Sequence, residues 1–208
     1  MTKIQIELYL VLEINFIKIF TNLSHMFPFF PQKSFSHLLI VFCIVIASAG
    51  FIMPILVDNF WMNRYYFLTG NYMSLGIQVL LFQFFHGNML HLFMNSYFLY
   101  SAGPEVEARM SRDRYTWFFI TSTIFVAIAL LVFQPLANTI GISGFCMALL
   151  SYLWIDLYTT RHPLAPQILV MLVINIGIGL VPGISLVGHL FGAIWWLVWW
   201  VIFRNWRK

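Results

Sequence analysis

Six apolar runs, each near the length of a bilayer crossing, dominate the chain after residue 36: 37–57, 87–101, 115–135, 143–159, 163–181 and 185–203. A hydrocarbon core about 30 Å thick takes about 20 helical residues to span. Within lipid, every backbone N–H and C=O must find a partner inside the segment or the protein. The runs therefore predict an all-α membrane protein, a bundle of six transmembrane helices. The second and fourth runs are short, which is tolerated where a helix begins below the surface inside a protein cavity. Composition points the same way, because 61% hydrophobic and 9% charged residues leave too little polar surface to cover a soluble globule of 208 residues. No Gly/Ser-rich linker, low-complexity tract or repeat divides residues 37–208, so one domain is expected there.

Residues 1–36 differ. Lys3, Glu7, Glu13 and Lys18 interrupt their apolar residues, and no small-residue cleavage site follows, which argues against a secretory signal peptide. Residues 4–20 read as an interfacial amphipathic helix in a cytoplasmic N-terminal segment, broken by the stretch from Pro28 to Pro31; a poorly ordered tail is the alternative. With a cytoplasmic N-terminus, six crossings return the C-terminus to the same side. Ten of the eleven basic residues then lie inside and Arg64 alone lies outside. This bias suits a bacterial plasma membrane. The basic residues are scattered over separate segments, so the net charge of +4 fits anionic lipid headgroups as partners and not nucleic acid. Cys43 and Cys146 both fall in apolar runs and make no disulfide framework.

Alternate runs point in opposite directions, so the starts of the second, fourth and sixth share the extracytoplasmic face. Those starts carry the unusual polar residues: His86, Asn88, His91 and Asn95 on the second, Ser143 on the fourth, and His189 about one turn into the sixth. Ionisable and polar groups at such positions are costly unless they face a protein interior or a wet cavity. His91 and Asn95, four apart, share one helix face. His86, five residues before His91, is expected to bond the loop backbone. Gly144 with Ala148 and Gly188 with Gly192 form small-residue stripes that let two helices approach closely. Close approach would bring the Ser143 hydroxyl and the His189 imidazole within hydrogen-bond reach, as a nucleophile and its base. Ser143 at a helix start lies beside unpaired N–H groups and the positive end of the dipole, which favour charge on a carbonyl oxygen. Gly141 and Gly144 keep that turn narrow. No HxxxH or HExxH pairing is present and no carboxylate lies among the histidines, so neither a metal nor a cofactor is expected.

Taken together, His86-x4-His91-x3-Asn95, Gly141-Ile142-Ser143-Gly144 and Gly188-His189-x-x-Gly192 resemble the rhomboid intramembrane serine proteases. The resemblance runs from about Phe84 to Trp195. It implies that Ser143 is the nucleophile, His189 its general base, His91 and Asn95 the oxyanion donors, and His86 mainly a structural residue. It also implies that the substrate is a transmembrane protein whose segment unwinds near a small residue. Some positions depart from the family pattern. Ile77-Gln78 stands where a Trp-Arg pair is usual, Met147 where an aromatic residue stacks on the histidine, Ser151 for a small residue, and Trp196 for a glycine, which would splay the lower ends of the fourth and sixth helices. Glu107-Ala108-Arg109 matches a family motif that stabilises the cytoplasmic side. A silent rhomboid-like pseudoprotease that binds membrane proteins is the main rival reading. A small transporter is the other, weakened because Asp156, the carboxylate within a run, sits near the cytoplasmic end.

Overall fold

The computed structural model describes residues 34–203. The N-terminal amphipathic helix expected over residues 4–20 lies outside them. Within them the chain is all-helical, with α1 (Phe35–Ile52), α2 (Pro54–Phe60), α3 (Tyr65–Leu68), α4 (Tyr72–Leu81), a 3-10 turn (Phe82–Phe84), α5 (Met89–Arg109), α6 (Arg112–Phe133), α7 (Ser143–Thr159), α8 (Ala165–Ile178) and α9 (Leu186–Phe203). The extended pairing that occurs is an isolated bridge between Met62 and Thr139.

Helix boundaries follow local chemistry. Ser34 caps α1 by accepting the Ser36 N–H, so the helix begins at Phe35, two residues before the expected start of the domain. Pro54 ends α1, because the residue before a proline is pushed out of the helical region, and Met53 sits at φ −126° and ψ 82°. Asn71, Asn88 and Ser111 cap α4, α5 and α6 through side-chain oxygens. α5 runs to Arg109, well beyond the apolar run that ended near Ser101. Its last two turns hold Pro104, Glu105 and Glu107, and these interrupt the hydropathy without interrupting the helix.

Among the described residues three helices, α1, α6 and α9, are long and apolar enough to cross a membrane, and the pair formed by 72–84 and α5 adds a fourth if taken as one bent span. That pair bends by 82° at the break before α5. α1 leaves Val41, Phe42, Ile44 and Val45 exposed, as expected of a face in contact with lipid tails and not with water. The chain is an integral membrane protein in a lipid bilayer. α7 is the opposite case, with eleven of its seventeen residues buried and α5, α6, α8 and α9 packed around it.

Two ends of the bundle differ in chemistry. At one, Glu107 Oε2 accepts from Ser34 Oγ at 2.6 Å and its Oε1 accepts from the Phe35 N–H at 2.9 Å. One buried carboxylate thus closes the start of α1 against the end of α5. Arg109 pairs with Glu105 one turn back, and its Nε donates to Asp156 near the end of α7 at 2.9 Å. The two acidic and basic ends of the Glu107-Ala108-Arg109 motif therefore serve different partners. At the other end lie the starts of α5, α7 and α9.

Candidate functional site

The approach to α5 sets the first wall. After the bend, Asn88 Oδ1 accepts the His91 N–H at 2.8 Å and directs the first turn. His86 is 2% exposed in the break itself. Its Nδ1 faces the Phe84 carbonyl at 3.1 Å, which can only accept, so Nδ1 carries the proton and Nε2 is left to accept from Asn95 Nδ2 at 3.1 Å. One proton of the Asn95 amide is thereby used and the other is left over. The His86 and His91 rings meet edge to face, 4.9 Å between centroids.

The second wall is the turn into α7. Gly141 donates its N–H to the Phe82 carbonyl at 3.1 Å, tying this turn to the start of the 3-10 segment. Gly141 has φ +111°, a conformation L side chains rarely adopt, and a Cβ there would lie 2.6 Å from His91 Cε1 and 3.6 Å from Asn95 Nδ2. His91 and Asn95 thus rest against a surface only glycine can offer. Ile142 occupies the cap position of α7 and provides no side-chain hydrogen bond. The Cys146 N–H is the first to bond back, to the Ile142 carbonyl at 3.1 Å. The preceding N–H groups of the turn, beside Ser143, have no intrahelical acceptor.

The third wall is the start of α9. The Gly188 N–H bonds to Ser185 Oγ at 2.9 Å, and Ser185 Oγ donates to Gln134 Oε1 at 2.6 Å, anchoring this end to the end of α6. A Cβ on Gly192 would lie 2.9 Å from the Gly144 Cα and closer still to the Gly144 carbonyl; one on Gly144 would lie 3.2 Å from the Gly188 carbonyl. The two backbones touch where the motif glycines fall. Further down, Tyr152 and Trp196 bridge α7 and α9 edge to face, 4.3 Å between centroids, and Trp196 also meets Phe118. Large rings fill the space there, so the lower ends are joined by side-chain packing where position 196 lacks a glycine.

These walls enclose a cavity of about 730 Å³ into which Ser143, His189, His91 and Asn95 all open, with Val126, Leu130, Met171 and Ile174 on its apolar side. His189 is buried at 7% exposure, and its Nδ1 lies 2.7 Å from the main-chain carbonyl of Asn175 on α8. Ser143 is partly exposed to the cavity, and no hydrogen bond joins it to His189 among the described residues. The hydrogen bond expected from the sequence is thus not formed. Such bonds are often long or absent before substrate arrives and tighten with it bound. Among the described residues no group of three or more His, Cys, Asp or Glu side chains is placed to hold a metal ion.

Ile77 and Gln78, at the departure from the family's Trp-Arg pair, lie in α4, where Gln78 Nε2 donates to the Trp61 carbonyl at 2.6 Å. Arg64 Nε donates to the Leu131 carbonyl at 3.1 Å. Helix and side chains thus organise a region that the sequence pattern left without a counterpart. Sequence reading also missed Gln134 and Ser185, which sit in no motif, and the Asn175 carbonyl, for which side-chain identity offers no signal.

The Rhomboid domain family profile matches residues 74–205. The match covers more than half of the chain and contains all three motif segments, and this chain belongs to the rhomboid family. A comparison with curated proteins returned no match.

Proposed function

We propose that this chain is an intramembrane serine endopeptidase that cleaves transmembrane proteins through a Ser143–His189 dyad. The supporting observation is that Ser143 and His189 open into one cavity from helix starts held in backbone contact by Gly144 and Gly192. In this reading α1, α5, α6, α7, α8 and α9 form six crossings. α7 and α8, of 17 and 14 residues, are shorter than a full crossing at about 1.5 Å per residue. α7 can begin inside the protein because its neighbours cover it. The cavity opens to the extracytoplasmic face of a bacterial plasma membrane, and both termini are cytoplasmic.

The chemistry follows from the placement. Ser143 Oγ attacks the scissile carbonyl carbon while its proton passes to His189 Nε2. The carbonyl oxygen becomes an oxyanion held by N–H groups of His91, Asn95 and the first turn of α7. Collapse breaks the C–N bond, the amine leaves with the proton from His189, and an ester to Ser143 remains. Water then attacks that ester by the same route, releasing the acid and restoring the serine. His86 positions Asn95, and Gly141, Gly144, Gly188 and Gly192 keep the walls close. The rival reading, a pseudoprotease that binds membrane proteins, draws support from the missing Ser143–His189 hydrogen bond and from Met147.

The test is cleavage of a model transmembrane substrate by protein in liposomes, together with covalent labelling by a fluorophosphonate. Wild type is expected to do both. Ser143→Ala is expected to do neither while keeping its thermal unfolding midpoint, and His189→Ala to lose cleavage. A wild-type protein that is inert to the label and leaves a panel of substrates whole would favour the pseudoprotease.

A further inference from the structure

A serine–histidine pair without a carboxylate needs something else to fix the imidazole, and α8 provides a candidate. The contact between His189 Nδ1 and the Asn175 carbonyl is 2.7 Å. A carbonyl oxygen only accepts, so Nδ1 carries the proton and Nε2, the nitrogen that a base needs free, carries none. In a regular α-helix the Asn175 carbonyl would accept the Gly179 N–H, four residues on. Here the Gly179 N–H bonds the Ile176 carbonyl at 3.0 Å, and Leu180 and Val181 likewise bond three residues back. The turn has tightened, and the Asn175 carbonyl is released from Gly179.

Gly179 stands where the turn tightens. A Cβ there would fall 2.5 Å from the Leu186 Cα and 2.9 Å from both the Leu186 nitrogen and the Ile176 carbonyl. These are backbone atoms that cannot rotate aside. The end of α8 therefore seats directly on the start of α9, one turn before His189. Gly177, two residues earlier, has nothing within 4 Å of such a Cβ. The Asn175 side chain turns back to its own helix, with Nδ2 donating to the Met171 carbonyl at 2.8 Å.

We propose that Gly179 and the main-chain carbonyl of Asn175 form the positioning element of the His189 base, taking the place of the acidic residue of a soluble triad. This rests on the protease reading for its catalytic meaning, but the anchoring itself is measurable without any cleavage. Gly179 is a positioning residue: it touches no substrate and acts through α8.

The experiment uses the full chain in liposomes, labelled with ¹⁵N-histidine, the His189 signal being assigned by its loss in His189→Gln. At neutral pH wild type is expected to show His189 as the Nδ1–H tautomer. Gly179→Ala is expected to mix the two tautomers and to lower kcat about 10- to 100-fold with KM held within about twofold, the range for losing a group that orients a catalytic histidine. Gly177→Ala should leave tautomer and kcat within about twofold of wild type. An Nε2–H tautomer in wild type overturns the proposal, as does a folded Gly179→Ala with unchanged spectrum and kcat. If Gly179→Ala does not fold, the wild-type tautomer decides. A chain that cleaves nothing yet shows the Nδ1–H tautomer, lost in Gly179→Ala, defeats the protease reading and upholds the anchoring.

Discussion

Asn95 has two amide protons, and one is committed to His86 Nε2. The other is the one an oxyanion would use, so truncation removes two things at once. Asn95→Ala should lower kcat by about 10²- to 10³-fold with a smaller change in KM. It should also cost about 1–3 kcal/mol of stability, because the buried His86 nitrogen loses its donor. An effect confined to KM would contradict the oxyanion role. Gly141 is constrained twice, by φ +111° and by the His91 ring against its Cα. Gly141→Ala should therefore cost about 1–3 kcal/mol from backbone strain and displace His91, read as a lowered unfolding midpoint together with slower turnover. His91, Asn95 and Ser143 stood out in the chain as polar groups in apolar runs, and Gly141 as part of the motif around Ser143. The bond from His86 to Asn95 was not, since it depends on the path of the break and not on a helical repeat.

Between α7 and α9 the deciding contact is backbone on backbone. Gly192→Ala would force its Cβ into the main chain of Gly144, so it should destabilise by about 1–3 kcal/mol, as overpacked interiors do, and reduce cleavage by separating the helices that carry Ser143 and His189. Gly188→Ala meets mainly the movable Ser185 side chain, at 3.2 Å, and should cost less. Equal losses in a thermal unfolding assay would refute this ranking. The small-residue stripes were legible as a pattern. The role of Trp196 was not, because a ring in place of glycine is acceptable only when Tyr152 and Phe118 are shaped to receive it. α5 likewise outran its apolar run, since the groups that interrupt hydropathy there find partners on α1 and α7.

Across the bundle, charge gathers at the end away from the cavity, so the two can be perturbed separately. Glu107→Ala would leave Ser34 and the Phe35 N–H without their buried acceptor. It should lower stability by about 1–3 kcal/mol while kcat per folded molecule, counted by fluorophosphonate titration, stays within about twofold of wild type. A large fall in kcat would mean that the two ends are coupled. Helix formation in these segments and the choice of chemically competent residues were settled locally: lipid offers no hydrogen bonds, so apolar runs must coil, and polar groups persist there only with a reason to. What local composition left open was how distant segments meet. Ser143 and His189 open into one cavity, and an Asn175 carbonyl is turned toward an imidazole fourteen residues on. Glu107 reaches back across seventy-two residues to cap a helix. These depend on backbone approach at particular glycines and on bends between helices, which arise from the packing of the whole bundle.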